Sequence, residues 1–216
     1  MQHNFSYMEE NLDIDFRSLL SLMQKRIMSE TTYFGIKTLK NPIDSWIYQE
    51  IIYEVRPDVI IEIGNANGGS ALFFAHLCDN IGNGRVVGID TCQKNIPDSV
   101  RRHDRIQFIE GDACAQYSEV ASLIESGETV LVIEDSAHTY SNTYDVLCTY
   151  GPLVTVGSYF IVEDGICHHG LDVGPQPGPY EAVCDFVEKN SDFYADRSRE
   201  GFFITWNPKG FLKRIK

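Results

Sequence analysis

The sequence has no run of roughly 18 apolar residues that could span a bilayer, and no basic N-terminal stretch leading into an apolar segment, so neither membrane insertion nor secretion is expected. Internal repeats, low-complexity tracts and obvious linkers are missing too, which argues against a solenoid or a string of domains. Basic residues are scarce: 18 Lys plus Arg stand against 31 Asp plus Glu, a formal net charge of -13. A field of that sign repels nucleic acid and anionic lipid, and it favours metal ions or a positively charged cofactor. The six cysteines (Cys78, Cys92, Cys114, Cys148, Cys167 and Cys184) form no CxxC pair and no zinc spacing. They are read as reduced core thiols of a cytoplasmic protein rather than as disulfides or metal ligands.

What is present is a chain of 216 residues, 43% hydrophobic, enough for one α/β domain with a full core. Scattered apolar positions from Phe16 to Ile27 suggest one amphipathic helix. Asn41 then offers a cap, Pro42 suits a first helical position, and Ile43, Ile47 and Ile51 recur every four residues until Arg56-Pro57. Residues 1–57 are read as a helical lid segment and 58–216 as the ligand-binding part, within a single globular domain overall.

From Val59 onward, short continuous apolar runs alternate with helical patterns. Strands are expected at Val59 to Ile63, Arg85 to Ile89, Ile106 to Ile109, Val130 to Ile133 and Tyr159 to Val162, as in a parallel sheet covered on both faces. Helices are expected at Ser70 to Leu77, Glu119 to Glu125, Asn142 to Tyr150 and Pro179 to Asn190. The aromatic-rich end, Phe193 to Ile215, is broken by turn signals and reads as antiparallel strands. The pattern predicts an α/β fold with a doubly wound, mostly parallel seven-stranded sheet and an antiparallel C-terminal hairpin.

The segment from Val59 to Ser70 puts Gly64, Gly68 and Gly69 between a strand and a helix, where open α/β sheets bind nucleotide-like ligands. Ser70 stands where a phosphate-binding loop needs Lys, and Ala66 replaces the middle glycine of a dinucleotide fingerprint. An acidic residue two before the first glycine, Glu62, suits S-adenosylmethionine, which has no pyrophosphate to cradle. Asp90, ending the second strand, can accept from ribose hydroxyls, and Asp112, after the third, from an adenine amino group. The expected cofactor residues are Glu62, Gly64, Asn65, Gly68, Ser70, Asp90 and Asp112. The competing reading of each carboxylate is a cap on the helix that follows.

The fourth strand ends in Glu134-Asp135-Ser136-Ala137-His138, and the fifth in Glu163-Asp164-Gly165. If these strands are neighbours, about 4.8 Å apart, Asp135, Glu163 and Asp164 emerge together and repel one another unless a cation intervenes. Oxygen-only ligands favour Mg2+, Mn2+ or Ca2+. His138, three residues past Asp135, is a candidate base for a substrate hydroxyl. His168 and His169 lie in the Gly/Pro-rich loop of residues 165–178 and are weaker candidates.

Tyr33-Phe34-Gly35-Ile36-Lys37, the Asn41 to Glu54 helix, Glu62-Ile63-Gly64 with Gly68-Gly69-Ser70, Glu134 through Tyr140, and Tyr159 through Asp164 together resemble the cephalosporin hydroxylase family, over about residues 30–206. Despite its name, that family implies the fold of class I S-adenosylmethionine-dependent methyltransferases, with metal-dependent O-methyltransferases of sugars and other natural products among its relatives. The resemblance implies Mg2+ held by Asp135, Glu163 and Asp164, S-adenosylmethionine at the cofactor residues above, and His138 as a base. The expected activity is Mg2+-dependent methyl transfer to a hydroxyl of a small molecule by a cytoplasmic homo-oligomer, with Asp135 and His138 catalytic. Two alternatives compete with this reading. An iron oxygenase of the kind the family name suggests needs two histidines and a carboxylate on one metal, and there is no H-x-D pair here. A non-catalytic S-adenosylmethionine-binding protein would keep the fold and lose the acidic cluster.

Overall fold

In the computed structural model, which describes residues 7–216, seven strands form one sheet in the order β5-β4-β3-β6-β7-β9-β8. Helix α1 (Phe16–Glu30) starts at Asp15, whose side chain accepts from the Ser18 amide. A small antiparallel pair follows, β1 (Thr32–Tyr33) and β2 (Ile36–Lys37). Helix α2 (Pro42–Val55) begins as expected, with the Asn41 side chain capping the Ile43 amide and Pro42 at its first position.

Strand β3 (Val59–Ile63), helix α3 (Gly69–Ile81), β4 (Arg85–Asp90), the short α4 (Asp98–Arg101) and β5 (Ile106–Glu110) build one half of the sheet. Helix α5 (Tyr117–Ser122) leads into β6 (Val130–Glu134), α6 (Tyr140–Tyr150) and β7 (Tyr159–Val162), which pair back onto the other side of β3. The strand order therefore reverses between β3 and β6, and the crevice where ligands bind in such sheets lies beyond their carboxyl ends. Helix α7 (Pro179–Lys189), β8 (Phe193–Ala195) and β9 (Phe211–Arg214) finish the chain. β9 runs antiparallel between β7 and β8, so the expected hairpin is present, with β9 inserted next to the parallel sheet.

Every residue of β3, β6 and β7 is buried, which explains why these strands read as continuous apolar runs. Alternation divides their side chains between two cores. Val59, Ile61, Ile63, Val130, Val132, Phe160 and Val162 pack with α6 and α7. Ile60, Leu131, Ile133, Tyr159 and Ile161 pack with α2 and α3 on the other face. Ile47, Tyr48, Ile51 and Ile52 of α2 belong to that second core, so α2 packs directly on the sheet. The helix that reaches across the crevice is α1, whose Leu20 and Ile27 join Ile166, Leu171 and Trp206 in a third, smaller cluster.

Two local expectations shift. α5 stops at Ser122 rather than running to Glu125, because its last carbonyls are taken by the amides of Leu123 and Ile124 before Gly127 is reached. All six cysteines are free thiols, but only Cys78 and Cys167 are buried; Cys92 and Cys148 are exposed, so the expected set of core thiols shrinks to two. No helix among the described residues is long and apolar enough to cross a membrane.

Candidate active site

Beyond the carboxyl ends of β3, β4 and β6 lies a cavity of about 510 Å3, a volume suited to a cofactor-sized ligand. Five of the seven expected cofactor residues line it: Gly64, Asn65, Ser70, Asp90 and Asp112. Asp90 ties two turns together, its Oδ2 accepting from the Ala66 amide at 2.8 Å and its Oδ1 from the Cys92 amide at 3.0 Å. Asp112 also serves as a local cap, accepting from the Ala115 amide at 2.9 Å. Asn65 is 2% exposed, yet neither its oxygen nor its nitrogen has a hydrogen-bond partner among the described residues. A buried amide with both ends unpaired is costly unless a ligand engages it.

Gly68 and Glu62 stand behind this wall. A Cβ at Gly68 would sit 3.1 Å from Ile96 and 3.2 Å from Val100, so that glycine admits α4 and its approach rather than a ligand. Gly64, with φ +86, is needed for a second reason besides the turn: a Cβ there would fall 1.9 Å from the carbonyl oxygen of Asp135. The end of β3 can therefore nest against the end of β6 only through glycine. Glu62 is fully buried, and neither carboxylate oxygen has a hydrogen-bond partner among the described residues. Burial pushes its carboxyl up to about 7, against the pull of the Lys40 charge.

The acidic end of the site follows from strand register. Ile63 pairs with Glu134 and Glu134 with Val162, so the next residues, Asp135 and Glu163, leave the sheet at one level. Alternation puts Glu62, Asp135 and Glu163 on the face covered by α2, and Glu134 on the opposite face, where its Oε1 accepts from Ser136 Oγ and Asn142 Nδ2. Lys40, immediately before the α2 cap, meets all three carboxylates. Its Nζ lies 2.6 Å from Asp135 Oδ2, 2.5 Å from Glu163 Oε1 and 3.6 Å from Glu62 Oε1. Burial disfavours a charged ammonium, but these carboxylates override it and hold Lys40 protonated, well above the usual lysine range.

Sequence reading missed Lys40. The signal was there: the apolar face of α2 had to cover the sheet, and the residue before its Asn-Pro start then arrives at the carboxyl edge beside the acidic strand ends.

The groups that converge most closely are Asp135, His138 and Asp164, whose ligating atoms all lie within 4.8 Å of one another. His138 Nε2 is 3.0 Å from Asp135 Oδ1 and 3.3 Å from Asp164 Oδ2. Glu163 is 6% exposed and turns one oxygen onto Lys40 instead. Burial opposes charge on the His138 ring, but the hydrogen bond and charge of Asp135 raise it to about 9, so at neutral pH it is an imidazolium donor in this arrangement. Asp164 is pushed up to about 6 by burial and by Asp135, and Glu163 also rises for the same two reasons. By count, four carboxyl groups (Glu62, Asp135, Glu163 and Asp164) meet one lysine and one histidine here. Ala66, His138 and Asp164 all line the cavity and all have positive φ (42, 56 and 57), the backbone strain that collects at functional sites.

His168 and His169 do not join the cluster: the first contacts the Gly174 carbonyl at 3.0 Å and the second Glu181 at 2.7 Å. With a single histidine among the converging groups, the two-histidine iron site of the oxygenase alternative is not assembled.

A sheet with this switch-point crevice and an acidic strand-end cluster is that of the class I methyltransferase fold. The chain belongs to the Rhamnosyl O-methyltransferase/CmcI family, whose model matches residues 25–215. It is 36% identical over 198 residues to a rhamnosyl O-methyltransferase of Mycobacterium leprae (strain TN), covering 87% of this chain and 85% of that one. It is 34% identical over 195 residues to a rhamnosyl O-methyltransferase of Mycobacterium tuberculosis (strain ATCC 25618 / H37Rv), covering 87% and 80%. Among solved structures, a CmcI structure described as Mg-SAM superimposes with a TM-score of 0.67 at 26% identity, covering 87% of this chain and 78% of that one.

Proposed function

We propose that this protein is a Mg2+-dependent O-methyltransferase that moves the methyl group of S-adenosylmethionine to a hydroxyl of a sugar or sugar-bearing natural product. The observation that carries this reading is one cavity with two chemically different ends, an unpaired Asn65 with Asp90 and Asp112 at one and Asp135, His138 and Asp164 at the other. The family, its rhamnosyl O-methyltransferase members and the Mg-SAM form of CmcI support both halves.

The residues present fit both groups. Asn65 has unpaired donors and acceptors, and the α3 N-terminus at Gly69 and Ser70 opens on the same cavity. The acidic surplus and its all-oxygen character at Asp135, Asp164 and Glu163 suit Mg2+. When bound, the cofactor supplies the methyl group and the metal orients the acceptor hydroxyl and acidifies it.

The chain's own residues do the rest. Asp135, Asp164 and Glu163 would hold the metal, and Asn65, Asp90 and Asp112 would hold the cofactor, in a reaction whose in-line displacement demands aligned atoms. His138 keeps its proton while Asp135 and Asp164 are uncompensated; once they are neutralised, its Nε2 can accept the hydroxyl proton. Calorimetric titration with S-adenosylmethionine, with and without Mg2+ and against NAD, tests the reading, followed by methyl transfer to methyl α-L-rhamnoside. Binding of S-adenosylmethionine alone and methylation that requires Mg2+ are expected. Equal binding of NAD, or no binding at all, refutes it.

A further inference from the structure

A buried lysine shared among three carboxylates is unusual, and the reaction proposed above does not use it. Lys40 is 5% exposed and comes from a segment outside the acidic strand ends, yet it is the only Lys or Arg among the described residues that touches the cluster. Its two short contacts take one oxygen from Asp135 and one from Glu163, on neighbouring strands. The remaining oxygen of Asp135 faces His138, and that of Glu163 has no hydrogen-bond partner among the described residues.

We propose that Lys40 is a resident counter-ion of the metal site: it holds Asp135 and Glu163 together when no divalent ion is bound, and weakens the binding of that ion by charge repulsion. The proposal rests on the metal-dependent reading of the site. Two effects of the side chain pull in opposite directions. By aiming two carboxylates it favours a metal, and by placing a fixed positive charge a few ångströms from the same carboxylates it disfavours one. Lys40 and Glu163 are 5% and 6% exposed, and between groups so buried the charge term dominates, since like charges at such distances repel far more strongly than in water. The consequence is an acidic centre that stays assembled without its metal and exchanges the metal readily, with Lys40 a positioning residue rather than a catalytic one.

A role confined to structure predicts that stability and metal affinity fall together when Lys40 is replaced. A resident cation predicts that they move apart. The test is thermal unfolding in EDTA and calorimetric Mg2+ titration of the wild type, Lys40→Gln and Lys40→Arg. Lys40→Gln, which keeps a donor and loses the charge, should unfold at a lower temperature in EDTA. It should bind Mg2+ at least about tenfold more tightly, by the Coulomb argument, so its unfolding temperature rises more on adding Mg2+ than that of the wild type. Lys40→Arg keeps the charge and should stay within about threefold of the wild-type affinity. If Lys40→Gln unfolds in EDTA altogether, recovery of cooperative unfolding with Mg2+ supports the proposal and failure to recover overturns it.

Unchanged or weaker Mg2+ binding by Lys40→Gln also overturns it. In that case a wild type that still binds Mg2+ and S-adenosylmethionine leaves the methyltransferase reading intact. A wild type that binds neither overturns both.

Discussion

Replacing Gly64 with alanine tests the claim that the site exists only because two strand ends nest without a side chain between them. The added Cβ would lie 1.9 Å from the Asp135 carbonyl oxygen and 2.5 Å from its carbon, roughly 1.5 Å inside ordinary contact distance. Relief requires the two strand ends to separate. That stretches the bond from the Asp135 amide to the Ile63 carbonyl, 2.8 Å, which ties the end of β6 to β3. That bond at about 1 kcal/mol, with about 1 kcal/mol for alanine at positive φ, comes to about 2 kcal/mol. For a protein of this size that lowers Tm by about 4–8 °C.

Gly82→Ala is the control. Gly82 has φ +71 but nothing within 4 Å of an added Cβ, so it carries the strain without the collision and should cost about 1 kcal/mol, a shift of about 2–4 °C. Differential scanning calorimetry of the two variants beside the wild type reads the difference. If the two shifts are equal, the close approach contributes nothing and the nesting argument is wrong.

Asp90→Ala removes the carboxylate that binds the amides of Ala66 and Cys92, and should weaken S-adenosylmethionine binding by at least about tenfold, the worth of one to two hydrogen bonds; unchanged affinity by calorimetry would show that neither turn needs it. Asp164→Asn should abolish Mg2+-dependent turnover while cofactor affinity stays within about threefold, whereas equal losses in both would argue against a metal-centred role. EDTA should stop methyl transfer and excess Mg2+ should restore it; a rate indifferent to chelation would remove the metal from the mechanism.

Asp44 gives a pH test away from the cavity. Burial raises its carboxyl from 3.8 to about 6, although Thr205, Trp206 and Asn41 donate to it. A raised native pKa means the favourable contribution is fully present below about pH 4 and is lost as pH rises through about 6, up to about 3 kcal/mol in all. The urea-derived stability of the wild type minus that of Asp44→Asn should therefore shrink over that window, and a flat or growing difference sinks the argument.

Much of the site was legible because strand order along the chain also orders the strand ends. Apolar runs followed by acidic residues put Asp90, Asp112, Asp135 and Asp164 at or just past the carboxyl ends of the expected strands, which is where the structure has them. Family resemblance supplied the chemistry that spacing could not. What sequence could not show is direction. Gly64 lines the cavity as expected, but the space its missing side chain leaves is filled by the Asp135 carbonyl, and Gly68 lies off the cavity with its space filled by Ile96 and Val100. Glu62 reads as a cofactor ligand and lies fully buried beneath Lys40.

By itself, then, the sequence determined the α/β sheet, the place of the crevice and the acidic character of its end beside β6 and β7, because hydrophobic periodicity and strand-end chemistry are local properties. Only the tertiary structure decided which carboxylate faces the cavity and which is spoken for. That choice depends on strand register and on where α2 docks, which brings Lys40 across 95 residues to Asp135 and 123 to Glu163. A long-range charge pairing of this kind leaves no periodic trace in the chain, and it appears only when the packed helix delivers the residue before its cap to the sheet edge.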